Sequence, residues 1–160
     1  MPASKKSRAQ PKVALRRARR ADYRFALDLY LESQKPLLAA LGTWDERRVV
    51  ARFGQAFKLK ETRVIRWNGS DIGWIQVSNT HKHFHLHQLH IVADCHNNGI
   101  GSLLIRDLLE RAETSGRAVV LNVIRGNRAT SLYRRLGFRV VGEDREKLRM
   151  RWEQEPPEED

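Results

Sequence analysis

Val13 and Leu15 alternate with other residues as in a short strand, and Phe25, Leu29 and Tyr30 then recur at helical spacing within a helix expected over Ala21 to Glu32. Thr43 and Glu46 have the spacing of a capping box, and Val49, Val50, Phe53 and Phe57 follow at intervals of three and four. A second helix is therefore expected from about Trp44 to Lys58. Arg63 to Trp67, the turn pair Asn68-Gly69 and Ile72 to Val77 read as a β-hairpin, with a third strand over Phe84 to Val92. A polar, glycine-containing loop leads into a helix whose inward positions are Ile100, Leu103, Leu104 and Leu108 and which stops at Gly116. The rest predicts a strand at Ala118 to Val123, a helix at Arg128 to Leu136, and strands at Phe138 to Val141 and Lys147 to Trp152. The order βααβββαβαββ predicts an α+β fold: three layers, with helices flanking a mixed, mostly antiparallel central sheet.

At 160 residues and 41% hydrophobic, the chain suffices for one domain with tails. The pattern places that domain over residues 12–152, between a basic segment at 1–11 expected to be disordered and an acidic tail at 153–160. No run approaches the roughly 18 apolar residues of a membrane span, and charges occupy the place of a signal peptide's apolar region. A soluble, cytoplasmic protein is expected, with no membrane partner. One cysteine, Cys95, allows no internal disulfide, and no C-x-x-C pair is present.

The net charge of +11 is concentrated at the N-terminus, where residues 1–20 contain only basic charges, and is offset by the acids of the tail. The body remains basic, which suits a polyanionic ligand: nucleic acid, or a small molecule with several phosphates.

The loop from Cys95 to Gly101 lies between a strand and a helix, where unpaired N–H groups of the first helical turn attract an anion. Gly99 and Gly101 leave room for a phosphate against the main chain, although a tight strand-to-helix turn alone also explains two glycines. A dinucleotide fingerprint is excluded because Leu104 stands where its third glycine belongs, and a P-loop is excluded because Gly-Lys-Ser/Thr is missing.

His96-Asn97-Asn98-Gly99-Ile100-Gly101 resembles the Q/R-x-x-G-x-G/A motif of the GNAT superfamily of acyl-CoA-dependent N-acyltransferases. Asn127-x-Ala129-x-x-Leu132-Tyr133-x-x-x-Gly137-Phe138 resembles that superfamily's second motif, in the same order and spacing. The match covers about Phe84 to Gly142; before it, only the order of elements agrees.

The resemblance implies that the backbone of His96 to Ser102, through Asn97, Asn98, Gly99, Ile100 and Gly101, cradles the pyrophosphate of acetyl-CoA. It implies that the strand edge at Leu89, Ile91 and Val92 pairs with the pantetheine amides and that Asn127 hydrogen-bonds the same arm. Tyr133 would reach the thioester sulfur and protonate the thiolate, while an N–H near Leu89 meets the oxyanion. Three positions depart from the motif. His96 replaces Gln or Arg, and Asn97-Asn98 replaces the Gly-Arg or Gly-Lys of many relatives, which removes a cation beside the phosphates. Arg125, Arg128, Arg134 and Arg135 either compensate or form a solvated surface.

Relatives often use a glutamate base on one of two central strands, but Gln88 and Asn122 at the corresponding places cannot accept a proton. His85 and His87 are the candidate general bases, with water as the alternative. Without a bulge, the period of two puts His81, His83, His85 and His87 on one strand face and His90 on the other. No metal is expected, although imidazoles two residues apart lie close enough to share one.

The resulting expectation is an N-acetyltransferase moving an acetyl group directly from acetyl-CoA to a primary amine of a small molecule or peptide. The alternative is a GNAT-fold module that binds CoA without transfer, suggested by the altered phosphate loop. A nucleic-acid partner is disfavoured, because no nucleic-acid motif is present and aromatics do not interleave with the charges. The sequence leaves a homodimer open.

Overall fold

The computed structural model describes residues 12–156. The expected basic tail at 1–11 and the end of the acidic tail lie outside them. The strands are β1 (Val13–Arg17), β2 (Thr62–Trp67), β3 (Ser70–Asn79), β4 (His83–Ile91), β5 (Ala118–Ile124), β6 (Arg139–Glu143) and β7 (Lys147–Trp152). The helices are α1 (Tyr23–Ala40), α2 (Glu46–Ala56), α3 (Ile100–Ser115) and α4 (Ala129–Arg135). They occur in the expected order. One sheet of seven strands runs β1-β2-β3-β4-β5-β7-β6, antiparallel everywhere except between β4 and β5. The fold is the α+β, mixed, mostly antiparallel arrangement read from the sequence.

Alternation along the strands feeds two separate apolar layers. On one face, Ile100, Leu104, Ile105 and Leu108 of α3 pack with Phe84, Leu86, Val119, Leu121 and Val123, joined by Tyr133 and Phe138. On the other face, Ala26, Leu27, Tyr30 and Leu38 of α1 and Val49 and Phe53 of α2 close over Trp74 and Ile124. Full burial of side chains such as Ile105 and Val49 stabilises the fold by roughly 1.5–3 kcal/mol each. The sheet thus has a helical layer on each face.

Several boundaries shift by a residue or two from the expected ones, and two differences have a visible cause. α1 continues eight residues past Glu32 and includes Pro36, whose ring removes one backbone N–H from the helix. The exposed Pro36 is tolerated because Gln34 and Leu38, on the neighbouring turn, are buried against the α2 side of the core. α2 starts two residues later than expected because Asp45, not Thr43, caps it: the Asp45 carboxylate accepts from Arg48 N–H at 3.1 Å. Thr43 instead belongs to the turn that ends α1, its N–H bonding Leu38 O at 2.9 Å. A side-chain cap satisfies one of the first-turn N–H groups left without an intrahelical partner.

The β3–β4 ladder contains the irregularity on which the site depends. Gln76 faces Gln88, but Val77 faces Leu86, so β4 has one extra residue at His87. The bulge shifts the alternation. Phe84 and Leu86 before it and Leu89 and Ile91 after it pack on the α3 face. His90 lands on the opposite face, against Tyr30 and Trp74 at ring separations of 5.6 and 5.1 Å. His85, His87 and His90 therefore share one side of the sheet, whereas unbroken alternation placed His90 apart. Gly73 holds this stretch together, because a Cβ there would collide with His90 O.

Candidate active site

β4 and β5 are parallel and pair only from His83↔Ala118 to Leu86↔Leu121; beyond that the strands separate. Val92 N–H bonds Ile72 O at 2.8 Å, so Ile72 and Val92 form a hydrogen-bonded position of the β3–β4 ladder. Such positions alternate in antiparallel pairs, which turns the amides of Leu89 and Ile91 away from β3 and into the gap beside β5. A free strand edge thus lines a split in an otherwise continuous sheet. Val92 differs from its two neighbours: its N–H is committed to β3 and its carbonyl accepts from Cys95 N–H at 3.0 Å.

A cavity of about 230 Å³ passes through this split. Leu89, Val123 and Tyr133 line it from the α3 layer, and Tyr30, Phe53, Phe57 and Trp74 from the α1–α2 layer. His85, His87, Gln88, His90, Asn122 and Asn127 complete the polar part of the wall. The structure therefore brings together Tyr133 of α4, His85, His87 and Leu89 of β4, and Asn127 of the turn before α4.

The loop before α3 is shaped by two left-handed residues, Asn97 at φ 65° and Gly99 at φ 75°. Gly99 is the N-cap, and the first i to i−4 bond is Leu103 N–H to Gly99 O at 3.0 Å. The N–H groups of Ile100, Gly101 and Ser102 precede it and point out of the helix end, as an anion site requires. Ile100, 1% exposed, anchors the turn in the core. Asn98 braces the loop by donating from Nδ2 to the carbonyls of Cys95 (3.2 Å) and His96 (3.3 Å). His96 folds back, its Nε2 donating to Ile91 O at 2.6 Å. Both side chains thus build the loop and contribute no cation toward a phosphate. Arg125 is held by Asp144 O at 2.8 Å and Glu143 at 3.1 Å, while Arg128, Arg134 and Arg135 are exposed.

Asn127 turns its Oδ1 to Ala129 N–H at 2.9 Å, capping the start of α4 and leaving Nδ2 as a donor. Tyr133 lies one turn further on, packed beside Phe138 at 5.6 Å, with its phenol making no hydrogen bond among the described residues. Burial pushes the phenol up to about 12, so it remains protonated at physiological pH. At that pH the group is an O–H donor.

The histidines behave differently from free imidazoles. His85 stacks on His87 at 3.8 Å, and burial together with His87 and His83 pushes it down to about 4. Burial lowers His87 as well, and its Nε2 is 2.7 Å from Ser78 Oγ. His90, almost enclosed, is pushed down to about 4 by burial alone. Its Nε2–H donates to Gln88 Oε1 at 2.7 Å, leaving Nδ1 to accept from the Ser33 hydroxyl at 2.8 Å. All three are neutral at pH 7.

The sequence points to the first two helices and the hairpin as the acceptor side but names no residue there. Trp74 is 1% exposed and Gln34 8%, and the indole Nε1–H and the amide Oε1 have no partner. Leaving each unsatisfied costs about 1–3 kcal/mol. Trp74 sits on an alternating strand and Gln34 on a helical face, so only their polar atoms inside an apolar layer mark them, and that requires the fold. Among the described residues, no group of three or more His, Cys, Asp or Glu is placed to hold a metal ion. None of the described helices is long and apolar enough to cross a membrane.

The family model described as the acetyltransferase (GNAT) domain matches residues 37–153. The chain belongs to the GNAT acetyltransferase family. Solved structures agree on the fold. The PaiA N-acetyltransferase of Thermoplasma acidophilum, solved in complex with coenzyme A, is 19% identical over 89% of this chain and 99% of its own, with a TM-score of 0.70. The IAA acetyltransferase of Bacillus cereus is also 19% identical, covering 89% of this chain and 100% of its own at a TM-score of 0.63. An Arabidopsis thaliana protein solved with the bisubstrate analogue CoA-Ac-MVNAL is 18% identical over 87% and 97%, with a TM-score of 0.56. No curated protein sequence matches the chain.

Proposed function

We propose that the protein transfers an acetyl group from acetyl-CoA directly to a primary amine that enters from the α1–α2 face. The observation that supports this most is the single cavity crossing the sheet at the β4–β5 split, with Tyr133 contributed by one layer and Trp74 by the other. A site that only stored CoA would need the first side and not the second.

The residues fit the cosubstrate. Backbone N–H groups of Ile100, Gly101 and Ser102 hold the pyrophosphate, in a loop formed by His96, Asn97, Asn98 and Gly99. Leu89 and Ile91 offer unpaired amides to the pantetheine arm, with Val92 as apolar wall and Asn127 Nδ2 as a further donor. Acetyl-CoA supplies the activated acetyl thioester. Leu89 N–H lies on the open edge, where it donates to the developing oxyanion.

Tyr133, protonated at physiological pH, points its O–H at the thioester sulfur and gives that proton to the thiolate as the C–S bond breaks. The amine attacks in its neutral form. As the C–N bond forms, the nitrogen becomes positive and one of its two protons becomes acidic enough for a weak base to accept, the other staying on the amide. His85 or His87 then takes it directly or through water: His85, pushed down to about 4, is neutral above about pH 5, and burial holds His87 below its ordinary value as well. Depression of His85 to about 4 makes it too weak to strip a free ammonium, so the pH dependence follows the acceptor's own ionisation.

A screen of acetyl-CoA turnover against amino acids, polyamines, aminoglycosides and peptide N-termini tests the proposal. Acceptor-dependent release of free CoA thiol is the expected result. Tight CoA binding with no turnover of any amine would instead establish a CoA-binding module.

A further inference from the structure

The acceptor half of the cavity carries a charge pattern that narrows the amine it takes. Its wall contains two cations, Arg52 from α2 and Lys147 from the start of β7, and no carboxylate. The nearest acids are already engaged. Glu146 pairs with Arg48 at 3.2 Å and with Arg52 at 3.6 Å, and Glu61 accepts from Gln76 Nε2 at 3.1 Å. One carboxylate shared by two arginines, with Lys147 adjacent in sequence, leaves the rim positive. A polycation such as a polyamine or aminoglycoside meets repulsion there.

Beneath the rim the wall is aromatic. Phe53 and Phe57 stack at 5.0 Å, and Trp74 meets them edge-on at 5.9 and 5.5 Å. Trp74 Nε1–H and Gln34 Oε1, both without partners and both in nearly enclosed residues of this wall, ask for one acceptor and one donor. The volume of about 230 Å³ lies below the roughly 300–1,000 Å³ of drug-sized sites. A small ligand fits it.

Resting on the transfer reading above, we infer that the acceptor is a small amino acid-like amine. It combines an apolar or aromatic body with a carboxylate that docks at Arg52 and Lys147. The carboxylate meets the cationic rim, the body lies on the Phe53, Phe57 and Trp74 rings, and the amine faces the split. A guanidinium and an ammonium converging on one anion give charge-assisted hydrogen bonds stronger than neutral ones.

Steady-state transfer and calorimetric binding to the CoA-loaded protein are measured with L-phenylalanine, phenethylamine and spermidine. Phenylalanine is expected to exceed the other two in kcat/KM by about a hundredfold. Arg52→Gln lowers the phenylalanine to phenethylamine ratio by about tenfold, mainly through KM, and Arg52→Glu inverts the preference. Equal or better use of phenethylamine or spermidine, or loss of all acceptors alike in both Arg52 variants, overturns the inference. Should phenylalanine bind in an Arg52-dependent way without being acetylated, the specificity stands and the transfer reading fails. If another amine is acetylated while phenylalanine neither binds nor reacts, the specificity fails and transfer stands.

Discussion

The two sides of the β4–β5 split are built by different rules. On the α3–α4 side, the groups proposed to meet acetyl-CoA are mostly backbone: N–H groups at the start of α3, the open edge at Leu89 and Ile91, and the turn at Asn127. On the α1–α2 side, the groups are side chains, namely the Tyr30, Phe53, Phe57 and Trp74 rings, Gln34, and the cations of the rim. Backbone recognition constrains glycine positions and loop length, leaving side chains free to change. His96 and Asn98 illustrate this, since both depart from the family pattern yet brace the loop from within. Side-chain recognition has no such template, which is why one face declares its ligand class and the other must be read from packing.

The largest test of the contrast is Tyr133→Phe, which removes a donor from the first side while keeping its ring. Loss of an acid contributing at the transition state should lower kcat by about a hundredfold to ten-thousandfold with CoA affinity little changed. A fall in stability with kcat retained would make Tyr133 a packing residue beside Phe138.

The backbone cradle itself is tested by ligand-induced stability. Acetyl-CoA at about 100 times its Kd should add roughly 2.7 kcal/mol, seen as a raised Tm. Gly99→Val should remove that increment by making the left-handed N-cap unfavourable by about 1–2 kcal/mol, in open space where no neighbour clashes. An undiminished shift in the variant would show that the loop does not hold the phosphates.

Gly73→Ala addresses the junction between the sides, since its Cβ would meet His90 O across the ladder. Overpacking of this kind should cost about 1–3 kcal/mol and disturb the bulge that sorts His90 from Leu89. A variant as stable as the parent, with an unaltered acceptor preference, would mean that the bulge adapts without consequence.

The smallest effects concern the histidines. With His85 and His90 held near 4 in the fold against 6.5 unfolded, the unfolded chain binds more protons between those values. Stability is therefore fully present above about pH 6.5 and declines as pH falls toward 4; His90→Gln should flatten part of that decline. Activity above about pH 5 should rise only with the acceptor's pKa, and His85→Gln should lower the plateau without moving it. A histidine-like inflection between pH 6 and 7 that vanishes in the variant would contradict the burial argument.

Much of this architecture is legible in the residues. Alternation and helical spacing locate all eleven main elements in order, and two motifs locate the phosphate loop and Tyr133. What escaped depends on contacts distant in sequence. α1 passes through Pro36 because of burial against α2, and His90 changes face because β4 gains a residue opposite Gln76 and Val77. Gln34, Arg52 and Trp74 carry no local signature; their polar atoms acquire meaning only once three elements enclose them.

Release of CoA thiol from acetyl-CoA, followed with and without an amine panel in the native protein, tests the central claim most directly. Release should require an amine, match the acetylated amine mole for mole, and collapse in Tyr133→Phe. Saturable CoA binding with no amine-dependent release, or release that proceeds equally without any amine, would contradict a cavity that carries an acetyl group across the sheet.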